Sequence, residues 1–248
     1  MDAERTQDST PLQRLKPASI TIDGPAASGK STIGFQVAEA LDFLFFDTGV
    51  MYRAITRAAL DRGVAFTDET AVSTLAETIV LDVAAPGEAE RDGRQCTVLV
   101  DGEDITWSIR TPSVDQNVST VSAYAGVRRA LSAQQRRIGR HYGSGEAEKP
   151  GIVMVGRDIG TVVLPDAGLK IYMDASAEER ARRRHLEIDQ RGKHLSYDEI
   201  LADIIERDRH DSQRALSPLR PATDAVIVDT SDMAPEEVVA EILRIATE

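Results

Sequence analysis

Residues 24–32 have the types and spacing of a phosphate-binding loop. The pattern G-x-x-x-x-G-K-S lies between an apolar run at 18–22 and a helical pattern that begins near Lys30. Glycine allows backbone angles that turn successive N–H groups toward one anion, and a helix N-terminus adds the positive end of its dipole. The sequence therefore predicts a nucleoside triphosphate site. Its residues are Gly24, Pro25, Ala26, Ala27, Ser28, Gly29, Lys30, Ser31 and Thr32.

Two side chains of this loop are expected to act on the triphosphate. Lys30 should reach the β- and γ-phosphates, and the Ser31 hydroxyl should ligate Mg²⁺. The loop alone does not separate kinases from switch GTPases, motors or transporters. A switch GTPase would need a guanine-binding Asn-Lys-x-Asp run, which the sequence lacks.

Arginines gather at a few places in a chain whose formal charge is −12. An anionic substrate has to be held by local groups of cations when the overall field is acidic. Any one of these arginines could instead be a solvated surface residue, or form a helical pair such as Arg207–Asp211 worth about 0.2–0.5 kcal/mol. Together they favour a site for two phosphorylated ligands, shielded from water. The groups are Arg180, Arg183 and Arg184 on one helix face; Arg207, Asp211 and Arg214 on another; and Arg53, Arg128 and Arg157 near strand ends.

The elements that would position these residues alternate between strands and helices. Continuous apolar strands separated by helices indicate an α/β fold, with a parallel sheet covered by helices on both faces. Residues 66–106 depart from this order, because a short helix is followed by two apolar runs around a charged turn. This pattern predicts an insert with a small antiparallel sheet. The predicted strands of the parallel sheet are 20–23, 43–46, 152–155, 169–174 and 225–228, and the phosphate loop, Asp47 and the run 156–158 follow three of them, where ligands bind in such folds.

The composition excludes several classes of protein. A chain of 248 residues can form one large domain, or a domain with an insert. A pI near 4.9 argues against binding to nucleic acid or to a membrane surface. No apolar run is long enough to span a bilayer, and residues 1–17 are too polar for a signal peptide, so we expect a disordered N-terminal tail. The single Cys96 excludes an internal disulfide and suits a reducing cytosol, so we expect a cytoplasmic protein. We also expect a monomer.

Five runs of the sequence are similar to the bacterial cytidylate kinases, and the resemblance extends from about residue 18 to the C-terminus. It implies a single P-loop nucleoside monophosphate kinase domain at 18–248, with the insert at 66–106 and a short lid at about 177–193. It also implies transfer of the γ-phosphoryl group of ATP to CMP or dCMP, with Mg²⁺. The matching runs are Ile22-Asp23-Gly24-Pro25, residues 47–53, Asp101-Gly102-Glu103-Asp104, residues 156–167 and Glu206-Arg207-Asp208.

The resemblance also implies roles for individual residues. Some should bind the monophosphate, some should recognise cytosine, and some should contact the ribose. Others should neutralise the charge of the transferring phosphoryl group. Asp158 suits cytosine, because a carboxylate accepts from the exocyclic amine that uracil lacks. The residues are Thr48, Tyr52 and Arg53 beside the monophosphate; Ser119, Arg128 and Asp158 at cytosine; Arg157 and Arg214 at phosphate; Arg207 and Asp211 at the ribose; and Lys30, Arg157, Arg180 and Arg184 in catalysis.

Two residues depart from the family pattern. Ala27 stands where many members have glycine, which is tolerable if its backbone angle is ordinary. Val155 stands where the family often has Asp or Glu, so Ser31 is the only Mg²⁺ ligand that the sequence predicts.

The lid helix is expected to be mobile until phosphate arrives, because its clustered arginines should repel one another. Two other functions remain open on the sequence. The chain could be a P-loop kinase for UMP, AMP or shikimate, or a module that binds ATP without turning it over.

Overall fold

Strands and helices alternate along most of the chain, as the hydrophobic pattern predicts. The computed structural model describes residues 15–87, 90, 92–190, 192 and 195–248. Residues 1–14 of the tail predicted at 1–17, and the predicted end of the lid at Lys193, therefore lie outside the described residues. In chain order the elements are β1 (Ser19–Asp23), α1 (Lys30–Leu41), β2 (Leu44–Asp47), α2 (Gly49–Asp61), α3 (Glu69–Thr78), β3 (Leu81–Ala84), β4 (Thr97–Val100), β5 (Glu103–Asp104), α4 (Pro112–Ala123), α5 (Ala125–Gly143), β6 (Ile152–Gly156), β7 (Leu169–Asp174), α6 (Ala177–Gln190), α7 (Tyr197–Ser212), β8 (Val226–Asp229) and α8 (Pro235–Thr247).

Five of the strands form one parallel sheet in the order β2-β6-β1-β7-β8. Its strands are rich in apolar residues, and neighbouring residues point to opposite faces. Ile20 and Ile22 of β1 pack with α1 and α8 on one face, whereas Leu44 and Phe46 of β2 pack with α2 and α5 on the other. The predicted α/β fold with helices on both faces is therefore confirmed.

The central position of β1 decides where the phosphate loop lies. Since β1 is flanked by β6 and β7, the loop after Asp23 emerges in the middle of the carboxyl edge of the sheet. Residues 156–158 emerge beside it from β6, and Asp47 ends β2 one strand further along. This arrangement places three predicted parts of the site at one edge.

The predicted insert contains α3 and a second sheet in the order β3-β4-β5, which is antiparallel. Its buried side chains, among them Val72 and Val98, join the same apolar cluster as Phe46 of the parallel sheet. Cys96, directly before β4, is buried in that cluster as a small apolar residue. The small antiparallel sheet is therefore confirmed, and it packs directly on the core.

Helices α6 and α7 form a hairpin with a small core of their own. Ile188 of α6 packs with Ile200 and Ile204 of α7. The start of α7 is fixed by a capping box, in which the Ser196 hydroxyl and the Glu199 carboxylate each accept from the other residue's backbone N–H, at 3.2 and 3.0 Å. Within the described residues, no helix is both long enough and apolar enough to cross a membrane.

Candidate active site

The phosphate loop depends on two glycines for different reasons. Gly29 has a φ of +83°, a left-handed angle that glycine adopts at no steric cost. A Cβ on Gly24 would lie 2.2 Å from the carbonyl oxygen of Met173, so the loop can approach β7 only because no side chain is there. The spacing of these glycines is therefore a requirement of the loop's shape.

Ala27 has a φ of +60°, which also lies in the left-handed region. Alanine was predicted to be tolerable here on the condition that its backbone angle is ordinary, and the structure does not meet that condition. This conformation costs an L-residue about 1–2 kcal/mol. Ala27 packs against the core of the α6–α7 hairpin, beside Ala181 and Ile204, and this contact supports the strained loop.

Lys30 begins α1 and points back into the loop. Its Nζ donates to the carbonyl oxygen of Pro25 at 2.6 Å and to the Ser28 hydroxyl at 3.4 Å, and the residue is 6% exposed. Burial, together with the nearby Arg157 guanidinium, lowers the pKa of Lys30. The predicted phosphate ligand thus lies inside the loop, next to a second cation.

Asp47 is a residue of the site to which the sequence analysis gave no role. Its Oδ2 accepts from the Ser31 hydroxyl at 2.6 Å, and its Oδ1 accepts from the Gly49 N–H at 2.9 Å. A hydroxyl beside a carboxylate fits Mg²⁺, which takes oxygen ligands from one or two protein groups and from substrate phosphates. Its position directly after a predicted strand at the ligand-binding edge was the signal that could have identified it.

One cavity of about 340 Å³ joins the loop to the predicted monophosphate site. Lys30, Ser31 and Asp47 line it from the loop side, and all ten residues predicted to bind CMP line it as well. Arg180 and Arg184 do not line it in this conformation. The ten residues are Thr48, Tyr52, Arg53, Ser119, Arg128, Arg157, Asp158, Arg207, Asp211 and Arg214.

Two of the three residues predicted to contact cytosine, Arg128 and Asp158, form a buried ion pair. Arg128 Nη2 lies 3.2 Å from Asp158 Oδ2, and the side chains are 6% and 9% exposed. The Arg128 guanidinium also lies 5.8 Å from the centre of the Tyr52 ring, and burial raises the pKa of Tyr52. The Arg128 Nε has no hydrogen-bond partner among the described residues. A base entering this part of the cavity would meet both charges.

Asp211 is bound by arginines from two different elements. Arg157, after β6, donates from Nε to Asp211 Oδ2 at 2.9 Å, and Arg214 pairs with Oδ1. Arg207 lies one helical turn before Asp211 and lines the same cavity, yet within the described part of the chain it makes no ion pair with Asp211. The helical pair Arg207–Asp211 that the spacing suggested is therefore absent from the described residues, and Arg157 and Arg214 hold the Asp211 carboxylate instead.

Further contacts fix residues in and beside the cavity. The Thr48 hydroxyl donates to the Val155 carbonyl at 2.9 Å, and Arg53 pairs with Asp115 at 2.7 Å. The buried Asp23 carboxylate accepts from the N–H groups of Ile159 and Gly160 at 2.9 and 2.8 Å. Burial raises the pKa of Asp23 to about 6. Asp23 thus fixes the π-helical turn that follows Arg157 and Asp158, a role that the sequence analysis missed.

The lid arginines are paired with carboxylates. Arg183 contacts Glu179 at 2.8 Å, and the exposed Arg184 contacts Glu187 at 2.7 Å. Arg180 is 4% exposed and pairs with Asp208 at 2.6 Å. The expectation that these arginines repel one another is therefore wrong, because acidic residues lie between them. Their contact with the transferring phosphoryl group stays a prediction.

Comparison with known proteins gives consistent matches. A family model described as cytidylate kinase matches residues 20–248. A cytidylate kinase from Herpetosiphon aurantiacus is 48% identical over 227 residues, which are 92% of this chain and 93% of the relative. One from Bacillus licheniformis is 44% identical over 230 residues, 93% of this chain and 96% of the relative. A solved shikimate kinase from Bacteroides thetaiotaomicron has a TM-score of 0.46 at 11% identity and covers 92% of this chain and 97% of that one, values that support no inference about substrate.

Proposed function

The chain belongs to the cytidylate kinase family, and on that premise we propose that it transfers the γ-phosphoryl group of ATP to CMP or dCMP, giving CDP or dCDP. One observation carries the proposal. A single cavity is lined by the phosphate loop on one side and by all ten residues expected to bind CMP on the other. Both substrates can therefore meet in one cavity.

The reaction asks the protein mainly for positioning and charge. A phosphate oxygen of CMP attacks the γ-phosphorus, and the bond to the bridging oxygen of ADP breaks, with little covalent chemistry for the protein to do. Lys30 and Arg157 line the cavity where the two phosphate groups meet, and they neutralise the charge that develops there. Arg184 is exposed and can turn toward the cavity when the lid closes.

Mg²⁺ is the metal that such a site uses. Ser31 and Asp47 are the residues that would hold it, with the triphosphate completing the oxygen ligands. When bound, the metal neutralises charge on the phosphates. Among the described residues no group of three or more His, Cys, Asp or Glu side chains could hold a metal ion by itself, so the protein has to share the metal with its substrate.

Selectivity for cytosine is assigned to Arg128 and Asp158. The Asp158 carboxylate accepts from the exocyclic amine of cytosine, whereas uracil presents an oxygen that it would repel. Arg128 holds that carboxylate and supplies a donor for the carbonyl of the base. A site built to hydrogen-bond one base can reject an analogue by roughly 10⁴-fold when its polar groups are left unpaired.

The proposal is tested by measuring ADP release with CMP, dCMP, UMP, AMP and shikimate as acceptors. We expect kcat/KM for CMP or dCMP to exceed the values for the other three by orders of magnitude. Equal values for CMP and AMP would contradict the assignment to cytosine. ATP binding without turnover of any acceptor would contradict catalysis itself.

We further propose that the enzyme acts as a monomer in the cytoplasm, on free nucleotides rather than on nucleic acid or at a membrane. The cavity draws all its predicted residues from one chain, so it needs no second copy. A formal charge of −12 disfavours binding to polyanions, whereas five arginines line the cavity and attract phosphate groups there. Light scattering at working concentration should give the mass of one chain, and a stable dimer would contradict the monomer.

A further inference from the structure

Asp208 lies on the helix that carries the monophosphate residues but does not line their cavity. Arg207 and Asp211 of α7 line the cavity, and Arg214 follows shortly after the helix. Asp208 instead contacts Arg180 of α6 through both carboxylate oxygens, Nη1 to Oδ1 at 3.1 Å and Nη2 to Oδ2 at 2.6 Å. Such a two-pronged pair fixes the relative position of two helices more tightly than a single contact does.

Arg180 connects the same pair to the phosphate loop. Its Nη1 also donates to the carbonyl oxygen of Ala26 at 3.0 Å, and its Nε donates to that of Ala175, at the end of β7, at 2.9 Å. The residue is 4% exposed. One buried guanidinium therefore joins the loop, the sheet edge and α7, and these contacts position backbone and do not address a ligand.

The loop residue next to Ala26 is supported from the same hairpin. Ala27 keeps its left-handed backbone while packing on the small core between α6 and α7. The hairpin thus holds two adjacent loop residues, one by a hydrogen bond and one by packing. A shift of α7 has to move or strain the loop that binds the triphosphate.

We propose that Asp208 is a positioning residue that couples the two nucleotide sites through Arg180 and the Ala26 carbonyl. The inference rests on the proposed function, because it concerns the two substrates of that reaction. Monophosphate binding draws on Arg207 and Asp211 and fixes α7, and the contact through Asp208 then fixes the loop for ATP. Since coupling between two binding sites is reciprocal, ATP tightens the binding of CMP by the same factor.

The test measures the dissociation constant of CMP by calorimetry, with and without a non-hydrolysable ATP analogue and Mg²⁺. In the wild type we expect the analogue to tighten CMP binding about 5-fold or more, the lower end of typical coupling. In Asp208→Asn the ratio should fall to near one. Glu206→Gln is the matched control, since it removes the same charge from an exposed pair with Arg209 on the same helix, and its ratio should stay within twofold of the wild type.

Two outcomes overturn the inference. One is a ratio near one in the wild type, and the other is an Asp208→Asn variant that keeps the wild-type ratio. In both cases CMP and the ATP analogue still bind. A failure of the proposed function would look different, because CMP or the ATP analogue would then not bind at all.

A second measurement needs no variant and covers the case in which Asp208→Asn does not fold. Hydrogen exchange is followed at the amides of 24–31 after CMP alone is added to the wild type. Coupling predicts slower exchange at Ala26 and Ser28, two loop residues that do not line the cavity. Unchanged exchange in the loop, with slower exchange at Asp211, would overturn the inference.

Discussion

At the scale of single residues, the site is a set of charges in which most groups have a specific partner. Arg157 and Asp211 are held by each other, and Arg128 is held by Asp158. Each of these residues also lines the cavity. Removing one partner therefore changes both the charge that a substrate meets and the position of the group that remains.

Lys30→Ala should abolish turnover while leaving the fold intact. The Lys30 amine is the cation at the turn from loop to helix, and within the described residues its hydrogen bonds go to the loop itself. Loss of a cation that stabilises a transferring phosphoryl group lowers kcat by about 10³–10⁵. The rate of ADP release and the melting temperature check this, and near-normal kcat would remove Lys30 from catalysis.

Asp211→Ala should raise KM for CMP and narrow any preference between CMP and dCMP. Its carboxylate lies between Arg157 and Arg214, so it is oriented to accept from a ribose hydroxyl. A charged hydrogen bond of this kind is worth about 1.5–3 kcal/mol. Asp203→Ala, an exposed change on the same helix, is the control. A less stable variant whose CMP to dCMP ratio is unchanged would make Asp211 purely structural.

Asp23→Asn should remove the part of the pH dependence of the unfolding free energy that comes from the Asp23 carboxyl. The pKa of Asp23 is raised from 3.8 to about 6 by burial, so the folded chain keeps a proton that the unfolded chain loses in that range. The contribution of this group is present below about pH 4 and is lost as the pH rises toward 6, a change of roughly 3 kcal/mol.

Urea unfolding of the variant and the wild type at pH 4 and pH 7 measures the effect. From pH 4 to pH 7 the wild type should lose roughly 3 kcal/mol of unfolding free energy through this group, and the variant should not. The unfolding free energy of the variant minus that of the wild type should therefore rise by that amount. Other carboxylates cancel in the difference. A difference that does not change with pH would mean that Asp23 titrates alike in both states.

At the scale of elements, the loop that precedes α1 is positioned by its backbone. Gly29 and Gly63 both have a left-handed φ, +83° and +65°, and a Cβ on either would meet open space. Gly29→Ala and Gly63→Ala should therefore lose similar stability, about 1–2 kcal/mol. Only Gly29→Ala should also lose ATP binding, because the loop N–H groups face the phosphates. Equal ATP affinity in both variants would contradict this role of Gly29.

Some parts of the site could be predicted from local sequence and some could not. The loop follows from glycine and lysine spacing, because its shape depends on residues a few positions apart. The conformation of Ala27 depends on a hairpin some 150 residues later, and one of the two arginines that bind Asp211, Arg157, directly follows β6. Helical spacing indicated Arg207 as the partner of Asp211. A sequence shows which residues are close along the chain, but not which ones tertiary packing brings together.

At the scale of the whole molecule, the site lies where three parts of the fold meet. The parallel sheet presents the loop, the insert packs on the sheet through a shared apolar cluster, and the α6–α7 hairpin packs on the loop. We predict that closure of the lid over both nucleotides moves the hairpin against the sheet. In this conformation Arg184 of the hairpin pairs with Glu187.

Arg184→Gln should lower kcat without changing the melting temperature, if Arg184 turns to the phosphoryl group on closure. Arg182→Gln is the matched control, because Arg182 is also exposed and paired on the same helix, with Glu179. Its kcat should stay within about twofold of the wild type, since exposed pairs contribute little. Equal kcat in the two variants would remove Arg184 from the reaction.

Cys96 gives the chain a practical property. It is the only cysteine, it is 6% exposed, and burial raises its pKa to about 12. Since the thiolate is the reactive form, thiol reagents at neutral pH should leave the native protein unmodified. A cysteine introduced at an exposed position of the hairpin would therefore be the single site of attachment for a fluorophore, and opening and closing could be followed in solution without removing any native residue.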